Sequence, residues 1–264
     1  MYILLLGSLF VLLFLIILFI GQFAKKEKLK SKLMQQEKLL EEERHKQQAL
    51  QAFKTATKIP ILSEFVAKGS ELKLLVAKHE YDNIVACMNK LSLPDGHRLF
   101  VQQPNCQGIG GVSHLVIELS ERKVEEKIWS HMSVEKSALG AMQVFFLDRL
   151  WHYLPLWWHA NYDRRYYVYT KEDLQIICKE VFSEESVAAA SSFGSRKRVD
   201  VFELVKFDVN PTMAEKEGKF YVSCCFWSNF KGLVREFVEI DLENCGVFDI
   251  KQETLYKYHC GILY

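Results

Sequence analysis

The stretch WHYLPLWWHANYDRRYY, Trp151 to Tyr167, gathers more chemistry than any other part of the chain. It holds three of the five tryptophans, four tyrosines, His152 and His159, Asp163, and the adjacent Arg164 and Arg165. Rings lining a cleft, a guanidinium to receive an anion or carboxylate, and His159 or Asp163 to move a proton would together make a hydrolase or transferase site. The residues concerned are Trp158, His159, Tyr162, Asp163, Arg164 and Arg165, and the same set would serve as a ligand or partner surface. The competing reading is a helix end and turn whose tryptophans plug the core, their polar tips reaching water, with the arginines solvated or stacked on a ring. Pro155 breaks or kinks a helix through the stretch, so the spacing of His152 and His159 does not place them on one face. The residues read first as core, then as an interaction surface, and last as a catalytic site.

A second candidate is PNCQGIGG, Pro104 to Gly111, with Cys106 and His114 as a thiol and an imidazole. It lacks the spacing of a dinucleotide fingerprint, and no Lys-Ser/Thr follows as a phosphate loop needs. A glycine loop between two strands accounts for it. HEYDN at His79 lacks the second histidine of a metalloprotease helix, and Cys224 and Cys225 point to opposite faces of any strand. No metal and no cofactor are expected. The seven cysteines, an odd number with no C-x-x-C among them, read as reduced thiols rather than a disulfide framework. Enzyme activity is left open, with binding preferred.

These residues need elements to position them, and the chain begins with one of another kind. Ile3 to Ile20, ILLLGSLFVLLFLIILFI, is uncharged. With Tyr2 and Gly21 it is long enough, as a helix, to cross a hydrocarbon core of roughly 30 Å. Nothing basic precedes it, and Ala24 has Gln22 rather than a small residue at its −3 position, so an uncleaved signal anchor over 1–23 is expected in place of a removed leader. Residues 2–21 would then lie in the bilayer. Lys25, Lys26, Lys28, Lys30 and Lys32 follow at once, which places the N-terminus outside and the rest of the protein in the cytoplasm.

A charged helical stalk is expected over 24–57, free of Gly and Pro up to Ile59-Pro60. Its best heptad seam is Leu29, Leu33, Gln36, Leu40, Glu43, Gln47 and Leu50. Three of the seven positions are polar, so a coiled-coil homodimer and a solvated spacer both remain open. Residues 25–54 carry nine Lys/Arg against five Asp/Glu, and the chain as a whole has 34 against 33. The body is therefore slightly acidic and a poor nucleic-acid binder.

From residue 58 to 264 the texture predicts an α+β domain, helix-rich over 58–192 and strand-rich over 199–264, with an antiparallel sheet. Strands are expected at GHRLFVQQ and GVSHLVIEL, and a short one over 166–169. Ser133 is expected to cap a helix reaching Tyr153, and Thr170-x-x-Asp173 to open another reaching Phe182. VDVFELVKFDV, KFYVSCCFWS, GLVREFVEIDL and TLYKYHCGILY read as four consecutive strands divided by turns. On these grounds the chain reads as a membrane-tethered binding or scaffold module. The alternatives are a tethered hydrolase or transferase around Trp158–Arg165, and a structural subunit of a membrane assembly.

Overall fold

A helix of 54 residues, α1 (Tyr2–Thr55), opens the chain. The computed structural model describes residues 2–78, 80–102, 114–118, 124–125, 128–150, 165–181, 199 and 201–258, with backbone alone at 2–24, 101–102, 114–118 and a few other positions. Among the described residues no helix is long and apolar enough to cross a membrane. The side chains of Ile3–Ile20, on which the anchor expectation falls, lie outside them. The chain divides into two units, Met1–Gln48 and Ala49–Tyr264.

The second unit is α+β with an antiparallel sheet, as predicted. In chain order it contains β1 (Thr57–Ile59), α2 (Leu62–Ala77), α3 (Tyr81–Ala86), β2 (Leu91–Ser92), β3 (Arg98–Gln102), β4 (His114–Glu118) and β5 (Val124–Glu125). A 3₁₀ turn at Ile128–His131 precedes β6 (Ser133–Val134), α4 (Ala138–Arg149), β7 (Tyr166–Val168), α5 (Lys171–Val181) and α6 (Val201–Leu204). The chain closes with β8 (Thr212–Lys216), β9 (Lys219–Ser228), β10 (Gly232–Asp241) and β11 (Gly246–Lys257). The main sheet runs β1-β8-β9-β10-β11, with β7 paired to β9 beyond the end of β8. Smaller antiparallel sheets, β2-β6 and β3-β4-β5, lie within the stretch read as helix-rich.

β9 and β10 are buried almost end to end because both faces of the sheet are covered. On one face Phe220, Val222, Cys224 and Phe226 of β9, with Val234, Val238 and Ile240 of β10, join Phe65, Leu72, Phe145, Phe146, Tyr167 and Tyr169 in one core. On the other face, Cys225, Trp227 and Leu233 pack with Leu174, Ile177 and Leu204. Elsewhere on that face Tyr221 and Ile250 receive Ala49 and, half-buried, Leu50 and Phe53 from the last turns of α1. Phe53 meets the Phe237 ring edge-on at 5.5 Å. Double coverage also explains why the facing of GLVREFVEIDL is ambiguous in sequence: alternation is clean only when one side meets water.

Three expectations are corrected. Ser133 does not cap α4; it sits in β6 opposite Ser92. The cap is Ser137, in extended backbone, whose Oγ accepts from the Gly140 N–H at 3.1 Å. Gly140 is itself required there, because a Cβ would lie 2.0 Å from the Glu135 carbonyl oxygen. VDVFELVKFDV is not a strand: its described part contains the helical turn α6, since a short apolar run fits a buried helix as well as a strand. The strand begins after Asn210-Pro211 and ends in a two-residue hairpin, Glu217-Gly218, both at positive φ (54° and 78°), the mirror-image turn that right-twisted strands prefer. Finally, the last strand starts at Gly246, eight residues ahead of the predicted TLYKYHCGILY.

Candidate functional site

Trp158, His159, Tyr162, Asp163 and Arg164 lie outside the described residues, as does Cys106, so the arrangement expected of them is not part of the structure's description. Arg165 is described, and it is partly buried with an anion supplied by the protein itself. Its Nη1 donates to Glu236 Oε2 at 3.0 Å, and its guanidinium lies 4.7 Å from the centre of the Phe226 ring. The partner is 71 positions away in sequence.

Glu236 is the centre of the strongest polar cluster among the described residues. It occupies the same face of β10 as Val234, Val238 and Ile240, opposite Cys224 of β9 and Gln252 of β11. A carboxylate placed there is 1 % exposed, and burial without partners would be very unfavourable. Three side chains answer it. The Tyr167 hydroxyl, brought by β7, donates to Oε1 at 2.8 Å. Arg149, carried on the last turn of α4, places Nε 3.4 Å from the same oxygen, and Arg165 takes the other. Arg149 also donates Nη1 to its helix neighbour Asp148 at 2.8 Å and Nη2 to Asp249 of β11, so its planar fork joins helix to sheet at two carboxylates, Glu236 and Asp249.

Burial pushes the Glu236 carboxyl above its ordinary value, against the opposing pull of Arg149, Arg165 and the Tyr167 hydrogen bond. Asp148 moves the same way, again through burial, with Arg149 resisting. For Arg149 burial works toward a lower value, but Glu236 first, then Tyr167, Asp148 and Asp249, hold it above. The guanidinium therefore stays charged. Each oxygen of Glu236 accepts one hydrogen bond from the protein's own side chains, an arrangement that fixes geometry and compensates the buried charge. Arg149 lies two residues before the aromatic stretch Trp151 to Tyr167, and Arg165 lies within it. Both reach Glu236.

Sequence reasoning named Arg165 and missed Glu236, Arg149 and Tyr167 as a group. One signal was present: in Val234-x-Glu236-x-Val238-x-Ile240 a single carboxylate interrupts an apolar face of period two. Such an interruption calls for a buried counter-charge.

A second polar junction forms where α5 begins, and here the expected capping box is present, while the expected helix end at Phe182 lies outside the described residues. Thr170 Oγ1 accepts from the Asp173 N–H at 3.2 Å, and Asp173 Oδ2 accepts from the Thr170 N–H at 3.2 Å. Asp173 also accepts from Tyr169 N at 2.8 Å and pairs with Lys73 of α2 at 2.6 Å. Lys73 in turn sits 4.6 Å from the centre of the Tyr169 ring. Asp173→Ala is expected to destabilise the fold by about 1–2 kcal/mol, the upper part of the range for a lost cap, because the ion pair goes with it. A thermal melt followed by circular dichroism checks this; an unchanged midpoint would show that the cap is dispensable.

The described thiols, Cys87, Cys224, Cys225 and Cys245, are free, and burial pushes each of them up, away from the nucleophilic thiolate. Cys224 and Cys225 enter the cores on opposite faces of the sheet. Among the described residues no group of three or more His, Cys, Asp or Glu is placed to hold a metal ion. Compared with family models, with curated proteins and with solved structures, the chain matches none.

Proposed function

We propose that the chain is a single-pass membrane protein whose α+β body works as a binding or scaffold module on the cytoplasmic side. The observation that carries this reading is the make-up of α1. Its first third is an uncharged apolar run, and the next turns are charged and exposed from Lys25 onward. Such a helix tethers a domain at a distance from a bilayer. The pairing of Glu236 with Arg149, Arg165 and Tyr167 supports binding over catalysis, since these buried polar side chains serve one another.

In the isolated chain Leu29, Leu33 and Leu40, three of the seam positions, are all more than half exposed. A parallel homodimer through the stalk would cover them, helped by the high local concentration that a membrane imposes. A full chain that sediments as a monomer in mild detergent would remove this part of the proposal.

The anchor has a direct test. The full chain expressed in cells is expected to stay with the membrane through alkaline carbonate washing, and a C-terminal fusion to an enzyme active only after export is expected to be silent. Release by carbonate would overturn the anchor, and strong fusion activity would overturn the orientation.

A further inference from the structure

The charge along α1 is sorted, and the sorting points to a ligand. We infer that Lys25, Lys26, Lys28, Lys30 and Lys32 form a binding collar for the headgroups of anionic lipids. The inference rests on the membrane reading of the preceding section and gives it a lipid specificity.

The five lysines fall within eight consecutive residues, which as helix is an axial rise of roughly 10 Å, close to one Debye length at physiological salt. They therefore act on the same layer of solution. Lys25, Lys28 and Lys32, three and four apart, share one side of the helix, while Lys26 and Lys30, four apart, share another. A helix leaving a bilayer can thus present cations to lipids on two sides. All five are exposed, and no side chain among them forms an ion pair with a described residue. Glu27 is the one acidic residue among them.

The following turns of the same helix behave otherwise. There Glu37, Glu41, Glu42 and Glu43 stand against Lys38, Arg44 and Lys46, and Lys46 closes on Glu42 at 2.7 Å and on Glu43 at 3.5 Å. A helix that needed charge only for solubility would mix its signs throughout, as this second segment does. Only the segment that abuts the apolar run carries a cluster of cations with a single acidic residue among them. Anionic lipid is the partner whose charge complements it at that height, because the surface potential of a phosphatidylserine-bearing leaflet decays within a Debye length. The slightly acidic body and the short axial span give nucleic acid no comparable footing.

The test uses the full chain reconstituted into vesicles of phosphatidylcholine and phosphatidylserine, roughly four parts to one. Beside it stands a variant carrying Lys25→Gln, Lys26→Gln, Lys28→Gln, Lys30→Gln and Lys32→Gln together. Both leaflets hold the anionic lipid, so a change in orientation does not affect the reading. After carbonate washing, protein is excised with its surrounding lipid by a disc-forming polymer, and the two lipids are quantified. The expected result is at least about a twofold enrichment of phosphatidylserine around the parent over the variant, lost in high salt. Parent and variant that both resist carbonate but carry lipid in the bulk ratio would overturn the collar while leaving the anchor standing, and an acidic protein would become the candidate partner. Release of the parent by carbonate would overturn the anchor and the collar together.

Discussion

Arg149→Ala is expected to destabilise the body by about 3–5 kcal/mol, the range for stranding a buried charge. For a unit of this size that is a fall in melting temperature of about 2–4 °C per kcal/mol. Arg149 is 7 % exposed and serves three carboxylates at once: Asp148, Glu236 and Asp249. Asp249 is more than half exposed and Asp148 about a quarter, so water takes over much of their solvation when the guanidinium goes. Glu236 has no such recourse. It keeps Arg165 and Tyr167 but must either remain charged with less compensation or bind a proton. Arg149→Lys is expected to recover only part of the loss, because a single ammonium cannot span the three contacts of the planar fork. The double variant Arg149→Met with Glu236→Gln is expected to be more stable than Arg149→Ala alone, since the charge that needed compensation is gone. If the double variant is instead the less stable, lost packing outweighs stranded charge. Thermal melts of the full chain in mild detergent decide between these outcomes.

The same cluster gives the stability a pH slope of definite sign. The folded Glu236 carboxyl binds its proton more tightly than the unfolded one, whose ordinary value is 4.5. Between that value and the higher folded value the native state holds more protons than the unfolded state, so stability falls as pH rises through the window. The contribution is complete below the unfolded value and lost as pH rises through the folded one. Asp148 acts in the same direction. Glu236→Gln is expected to flatten this part of the profile. A variant profile parallel to the parent's would place the slope on other groups.

Trp227→Ala is expected to cost about 3–5 kcal/mol, the range for truncating a large aromatic side chain in a core. Trp227 is 0 % exposed near the end of β9, between Tyr166 of β7 and Leu233 of β10 in the sheet register. Its ring lies 5.2 Å from that of Tyr258, and its Nε1 donates to Asn229 Oδ1 at 3.1 Å in the turn that leads to β10. With Leu174, Ile177 and Leu204 around it, the indole fastens α5 and α6 to the sheet. Trp227→Phe keeps most of the apolar contact but not the hydrogen bond, and is expected to cost well under half as much. Denaturant titration separates the cases: a lower midpoint at unchanged slope is the expected signature. An unchanged midpoint for Trp227→Ala would mean that the two helices dock without it.

What the sequence determined alone was what short-range forces decide. Thr170 and Asp173 are three residues apart, so their reciprocal hydrogen bonds could be foreseen from those two letters and the residues between them. KFYVSCCFWS and GLVREFVEIDL are strands in the structure because runs of β-branched and aromatic residues between turn signals favour that geometry locally. The antiparallel α+β class followed from the order of those runs. Nearby alternatives were harder to separate: Ser133 and Ser137 offer the same hydroxyl, and the choice fell to Ser137 because β6 pairs with β2 and removes Ser133 from contention. Glu217-Gly218 carries little turn signal in sequence, since Glu is not a usual residue at positive φ.

Only the tertiary structure decided which charges are buried and with whom. Arg165 was legible as a candidate anion receiver, yet its anion proved to be Glu236, supplied by a strand 71 residues on. Arg149 reaches Asp249 across 100 residues. Strand alternation places Glu236 on one face of β10, but it does not say that α4 and β7 will cover that face. Sequence periodicity carries information over one or two turns of chain, whereas burial and charge pairing are set by packing between distant elements. The polar centre of this protein is made of such pairings.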